Sequence, residues 1–198
     1  MKTIGYNKPP YYISLLLFMF SPLVLFSQFF QLGESIEGFQ AGDYSGFSVS
    51  MSNNGNRLVV GEVQDQNFID HLGQVKAYKY VNGAWQQLGQ TIEGNAGDRF
   101  FGYSVSINGD GTIMAIGNPI VDNGLVKIFK LVDNIWIQIG DDLVGQAFGD
   151  AFGQAIELNN AGNRIVIGSP SNNGNGNRGG RTQVYEYTNE TWIQLGNP

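Results

Sequence analysis

Apolar and polar residues alternate along this chain in short runs separated by turn residues. Tyr103-Ser104-Val105-Ser106-Ile107 places apolar side chains on one face and small or polar ones on the other, the period-two pattern of a half-buried strand. Asn108-Gly109-Asp110-Gly111 follows as a tight turn, since glycine and asparagine tolerate the positive φ that hairpins require. Residues 112–116 are nearly all apolar and predict a strand deep in a sheet. After a loop with Pro119 and Asp122-Asn123-Gly124, residues 125–131 alternate again, and Asp133-Asn134 turns the chain into Trp136-Ile137-Gln138-Ile139-Gly140. Four antiparallel strands are predicted from this stretch, and no stretch reads as a surface helix.

The same pattern occurs three times. Trp85, Trp136 and Trp192 mark it, with spacings of 51 and 56 residues, and Phe30 holds the tryptophan slot of the first copy. Gly42-Asp43, Gly97-Asp98 and Gly149-Asp150 recur, followed by predicted inner strands over residues 46–51, 102–107 and 153–158. A period of 50 to 56 residues built from short strands predicts propeller blades rather than a helical solenoid. The expected fold is all-β: a partial β-propeller of three four-stranded antiparallel blades, from repeats at about 30–84, 85–135 and 136–196. Val49, Val105 and Ile156 are expected to pack blade on blade, and residues 29–36 to form a leading outer strand.

Residues 1–27 read differently. Lys2 and Lys8 precede an almost unbroken apolar run over 13–26, closed by Ser27-Gln28, the layout of a secretory signal peptide cleaved after Ser27. The run holds Pro22 and is shorter than the roughly 20 residues that span a bilayer. Its removal takes away two of the 11 basic residues and no acid, leaving 9 against 17 and a net charge of −8. That balance disfavours nucleic acid as a partner, which needs a basic face, and no membrane contact is expected once the signal is gone. With no cysteine, stability must come from packed sheet faces.

Phe101-Gly102 followed by Gly117-Asn118-Pro119, and Phe152-Gly153 followed by Gly168-Ser169-Pro170, resemble the Phe-Gly and Gly-Ala-Pro signatures of FG-GAP repeats, which build the propeller of integrin α subunits. Copies of the form Trp-x-Gln-x-Gly, Gly-Asp and Ser-Val-Ser resemble more closely secreted repeat proteins of Bacteroidota. Copy one departs from the FG-GAP form, with Ser45-Gly46 for Phe-Gly and no proline after Gly61-Glu62-Val63. The resemblance covers residues 29–198 and implies adhesion at the cell surface.

Integrin-type blades hold calcium between their first two strands, and here the likeness stops. Calcium takes about six to eight oxygen ligands, whereas Ser52-Asn53-Asn54-Gly55-Asn56, residues 108–111 and Asn159-Asn160-Ala161-Gly162-Asn163 offer one carboxylate in three loops. These are read as hairpin turns, with no metal and no cofactor. Asp43, Asp98 and Asp150 are expected to serve each blade alike, as an Asx turn or a hydrogen bond to the backbone of a neighbouring blade. Catalysis needs different residues converging on one point, and no copy carries such a constellation. His71, the lone histidine, is read as a loop residue, and the tryptophans as packing groups rather than a sugar platform. The loops over 62–72, 118–123 and 171–180 vary most between copies, which favours their rim as the contact surface.

Blades usually close in sets of about four to eight. Three imply a fragment of a longer propeller, a subunit closing by association, or an open arc; the fragment is favoured, and residues 28–198 alone are expected to associate or melt early. The function read from the sequence is a secreted, non-enzymatic scaffold contacting protein or glycan at the cell exterior, or further propeller blades. The alternative is a propeller supporting, or carrying substrate for, a catalytic domain.

Overall fold

The computed structural model describes residues 30–63, 72–96, 98, 100–172 and 179–196. The expected signal segment, Gly97 and His71 lie outside these residues, as does the greater part of the 62–72 and 171–180 loops. Met1–Gln31 and Leu32–Pro198 are separate compact units; of the first only Phe30 and Gln31 are described, and the blades belong to the second.

The described residues are all β, with no helix and hence none long and apolar enough to cross a membrane. Blade one comprises β1 (Ser45–Met51), β2 (Arg57–Glu62), β3 (Gln74–Val81) and β4 (Ala84–Gln87), with the two-residue β5 (Ile92–Glu93) pairing back onto β3. Blade two repeats this with β6 (Ser104–Ile107), β7 (Ile113–Asn118), β8 (Leu125–Val132), β9 (Ile135–Gln138) and β10 (Leu143–Val144), and blade three has β11 (Ala155–Leu158), β12 (Arg164–Ser169), β13 (Arg181–Thr188) and β14 (Thr191–Leu195). All strand pairings are antiparallel, so each blade is a meander. The turns into the outer strands, Asp133-Asn134 and Asn189-Glu190, hold both residues at positive φ, the turn whose twist matches that of its strands. The sequence repeat counted from the tryptophan runs one strand out of phase with the blade, because Trp85 and Trp136 sit on β4 and β9.

The core lies in the seams between blades. In the first, Val59, Val75 and Ala77 meet Phe101, Val105, Met114 and Ile116; in the second, Ala115, Val126 and Ile128 meet Phe152, Ile156, Ile165 and Ile167. Successive residues of β7 thus serve opposite seams. That explains why this strand is apolar at every position from Ile113 to Ile116 instead of alternating. Fully burying each Val, Ile, Met or Phe side chain among them contributes about 1.5–3 kcal/mol.

Hydrogen bonds fix how the blades meet. Ser48 Oγ donates to the Gly102 carbonyl at 2.7 Å and Ser104 Oγ to the Gly153 carbonyl at 2.6 Å. Two residues on, Ser50 Oγ accepts from the Ile107 N–H and Ser106 Oγ from the Leu158 N–H, at 3.1 and 2.9 Å. On the hairpin rim, the Asn53 N–H donates to Gly109 O and the Gly109 N–H to Asn160 O, linking all three blades.

Three expectations are corrected. Val105 and Ile156 are buried in seams, but Val49 is 67% exposed, because the face it shares with them points away from blade two and no sheet stands there. The leading strand is absent from the described part of 29–36, since among the described residues no third strand of an earlier blade stands beside it to pair with. Leu32 and Gly33 take another role: the Trp85 indole N–H donates to Leu32 O, and Gly33 lies against Trp85 and Tyr80. The predicted inner strands also begin early in copies two and three. Gly102 and Gly153, at φ +91° and +87°, form corners that leave the ladder before β6 and β11 start.

Candidate functional site

One rim gathers the loops between second and third strands with those running from one blade into the next. Gly73 N–H donates to Asp98 O, Ser171 N–H to Asp150 O, and Gly145 N–H to Gly124 O. The three aspartates shape this rim. Asp43 Oδ2 accepts from the Gln40 N–H, Asp98 Oδ2 from the Asn95 N–H and Asp150 Oδ2 from the Ala147 N–H, at 2.9, 3.0 and 3.0 Å. Each aspartate N–H returns to the carbonyl of the same residue, closing a reciprocal pair. All three carboxylates are buried, and Asn172 Nδ2 also donates to Asp150 at 2.7 Å. Gly42 and Gly149, at φ +90° and +80°, supply the left-handed step before Asp43 and Asp150. Against this buried frame, Phe39 and Phe148 stand on the loops at 88% and 85% exposure, and Ile120 at 58%.

The remaining repeat residues are consumed by the seams. Phe101 and Phe152 are fully buried, each in a corner that presses on the preceding blade, and Phe152 meets Tyr185 edge-on at 6.3 Å. Gly117 passes so close to the Gly153 carbonyl that a methyl group would overlap it, whereas a methyl group at Gly168 would meet Ala155 at ordinary contact distance. Pro119 is buried and Pro170 exposed. The Trp136 indole N–H donates to Leu88 O at 2.8 Å and that of Trp192 to Ile139 O at 3.1 Å, so each outer strand is pinned to the tail of the blade before it. Gln90 completes the pin, donating to Trp136 O and accepting from its N–H.

Sequence reasoning missed two features. The serine pairs were visible as Ser-x-Ser in copies one and two, but their partners lie 49 to 57 residues away and no local pattern shows them. Glu62 is 1% exposed and holds Ser45 Oγ at 3.0 Å, Gln74 Nε2 at 2.6 Å and Lys76 Nζ at 2.8 Å. Burial, with the Glu62 charge second, pushes the Tyr78 hydroxyl above its ordinary pKa. Only copy one has glutamate at this position, so the repeat gave no hint of it.

The outward faces of blades one and three carry further surface. Val49 and Met51 are exposed on blade one. On blade three a groove of 490 Å³ opens beside Ala155, Gly168 and Thr182, where the seams inside the chain seat the next Phe-Gly corner. Among the described residues no three carboxylate or histidine groups cluster as a metal site would require.

No family model matches the chain, and no curated protein matches it. Among solved structures it is similar to Saccharomyces cerevisiae Sqt1, with a TM-score of 0.52 and 13% identity over 80% of this chain and 36% of Sqt1. It is also similar to KlAtg21, solved in complex with the coiled coil of AgAtg16, with a TM-score of 0.52 and 11% identity over 75% of this chain and 43% of that one. A Bacteroides fragilis protein described as a candidate 6-phosphogluconolactonase gives 0.49 and 14%, over 74% and 36%. The likeness to Sqt1 and KlAtg21 shows a fold of the β-propeller type, and the chain spans less than half the length of each of the three structures.

Proposed function

We propose that the protein is a secreted, non-enzymatic propeller scaffold that contacts protein or glycan at the cell exterior through its loop rim. The observation that carries this reading is the contrast on that rim. Its aspartates are buried and bonded to backbone, while Phe39, Ile120 and Phe148 project into water beside loops that differ between copies. Isolated exposed apolar residues are ordinary, but three on one rim over a buried polar frame favour contact. Secretion rests on the signal-like segment, and adhesion on the resemblance to FG-GAP and Bacteroidota repeat proteins. The purified chain, applied to immobilised extracellular glycans and proteins, should bind a subset of them. Phe39→Ser/Phe148→Ser should lose that binding with an unchanged melt. Equal binding by the double variant would overturn the rim as the contact surface.

A further inference from the structure

Blades one and two present the same three groups to the blade that follows. A first serine donates to the carbonyl of the next corner, a second accepts a backbone N–H, and a glycine (Gly61 or Gly117) leaves room for that carbonyl. Blade three keeps the glycine, Gly168, but the pairing registers place Ala155 and Glu157 where Ser104 and Ser106 stand. Alanine has no donor, and the Glu157 side chain is exposed.

The receiving side of blade one, by contrast, is built as in the two internal seams. Gly46 sits at φ +87°, matching +91° at Gly102 and +87° at Gly153. The Phe47 N–H bonds to Tyr44 O as the Tyr103 N–H bonds to Phe100 O and the Gln154 N–H to Ala151 O. Val49 and Met51 are 67% and 54% exposed, while their counterparts Val105, Ile107, Ile156 and Leu158 are all at or below 9%. Among the described residues, one half of a seam is thus present without its complement.

We propose that this face of blade one is a docking site for a blade of a partner propeller whose inner strand carries two serines two residues apart, and that the chain's own blade three is not that partner. The first hydroxyl of the partner donates to Gly46 O, the second accepts from the Met51 N–H, and apolar residues of the partner's second and third strands cover Val49 and Met51, as Val59, Val75 and Ala77 cover Val105 and Ile107. A second copy offering blade three would set the Glu157 carboxylate against those two side chains, where a single donor, the Met51 N–H, does not offset the cost of desolvating a charge. An inward-pointing charge of this kind blocks unwanted sheet contacts. The outward faces of blades one and three therefore do not complement each other.

The test compares two probes, both with the receiving face blocked by Val49→Asp: one has the native blade three, the other adds Ala155→Ser and Glu157→Ser. Each is titrated into dilute, fluorescently labelled, unsubstituted chain and followed by sedimentation velocity. The serine-bearing probe should bind about tenfold or more tightly than the native one, the scale of two neutral hydrogen bonds. Equal binding by the two probes, or no binding by the serine-bearing probe, would overturn the proposal. Circular dichroism melts establish that both probes are folded, and Met51→Lys in place of Val49→Asp should give the same ranking.

Discussion

Alanine at Gly117 probes the blade seam against an internal control, because Gly168 occupies the equivalent strand position with nothing opposite it. A methyl group at Gly117 would lie closer than 3.0 Å to both Ser104 Oγ and Gly153 O, which are joined by a 2.6 Å hydrogen bond. Neither atom retreats freely, since Gly153 follows the fully buried Phe152. At Gly168 the nearest atoms are Ala155 Cβ at 3.6 Å and Ala155 O at 3.7 Å, ordinary contact distances. Overpacking costs about 1–3 kcal/mol. Losing the serine bond adds about 0.5–1.5 kcal/mol, and the stiffer unfolded chain offsets about 0.4–1 kcal/mol. Gly117→Ala should therefore destabilise by roughly 2 kcal/mol, while Gly168→Ala should stabilise by a few tenths to about 1 kcal/mol. For a domain of this size each kcal/mol moves Tm by about 2–4 °C, so thermal melts should separate the variants by several degrees in opposite directions. Gly61→Ala should follow Gly117, because its methyl would meet Ser48 Oγ and Gly102 O. Equal losses at all three glycines, or none at Gly117, would refute the seam geometry.

Phe152→Ala should cost about 3–5 kcal/mol in urea unfolding, as expected for a fully buried ring, whereas Phe148→Ala on the rim should change stability by less than about 0.5 kcal/mol. The Thr112 hydroxyl holds the Asp110 carboxyl below its ordinary value of 3.8. The stability linked to Asp110 is therefore complete above that pH and lost as pH falls through the lower folded value. NMR titration should show the Asp110 midpoint rising in Thr112→Ala. Calcium or a chelator should leave Tm unchanged, because the hairpin turns carry too few carboxylates to bind the ion. A shift of several degrees would make Asp43, Asp98 and Asp150 the first ligands to test.

The strands were legible because apolar residues alternate with small or polar ones along each inner strand, and a period of two survives in Tyr103 to Ile107 without any knowledge of the partner. The aspartate turns were legible for a similar reason, since their acceptor and donor lie three residues apart. What the sequence concealed depends on neighbours. Val49 looks identical to Val105, and its exposure follows from which side of blade one it faces. The Phe-Gly corners look like strand in the pattern, yet positive φ at the glycine takes them out of the ladder. Glu62 reads as a loop acid until Lys76, Gln74 and Ser45 are seen around it.

The three tryptophans place one indole at each junction of the array, with Trp85 at the Leu32 segment, Trp136 between blades one and two, and Trp192 between two and three. Each ring loses its carbonyl acceptor and its shielding when its own junction opens, and that event leaves the other two rings in place. Single-tryptophan variants thus give three separate optical reporters, and quenching by acrylamide can rank the junctions by how readily each one opens. Trp85 is half-buried where Trp136 and Trp192 are buried, so its junction should be the first to admit quencher. In an array where each unit touches its neighbours only, unfolding that begins there can run inward blade by blade.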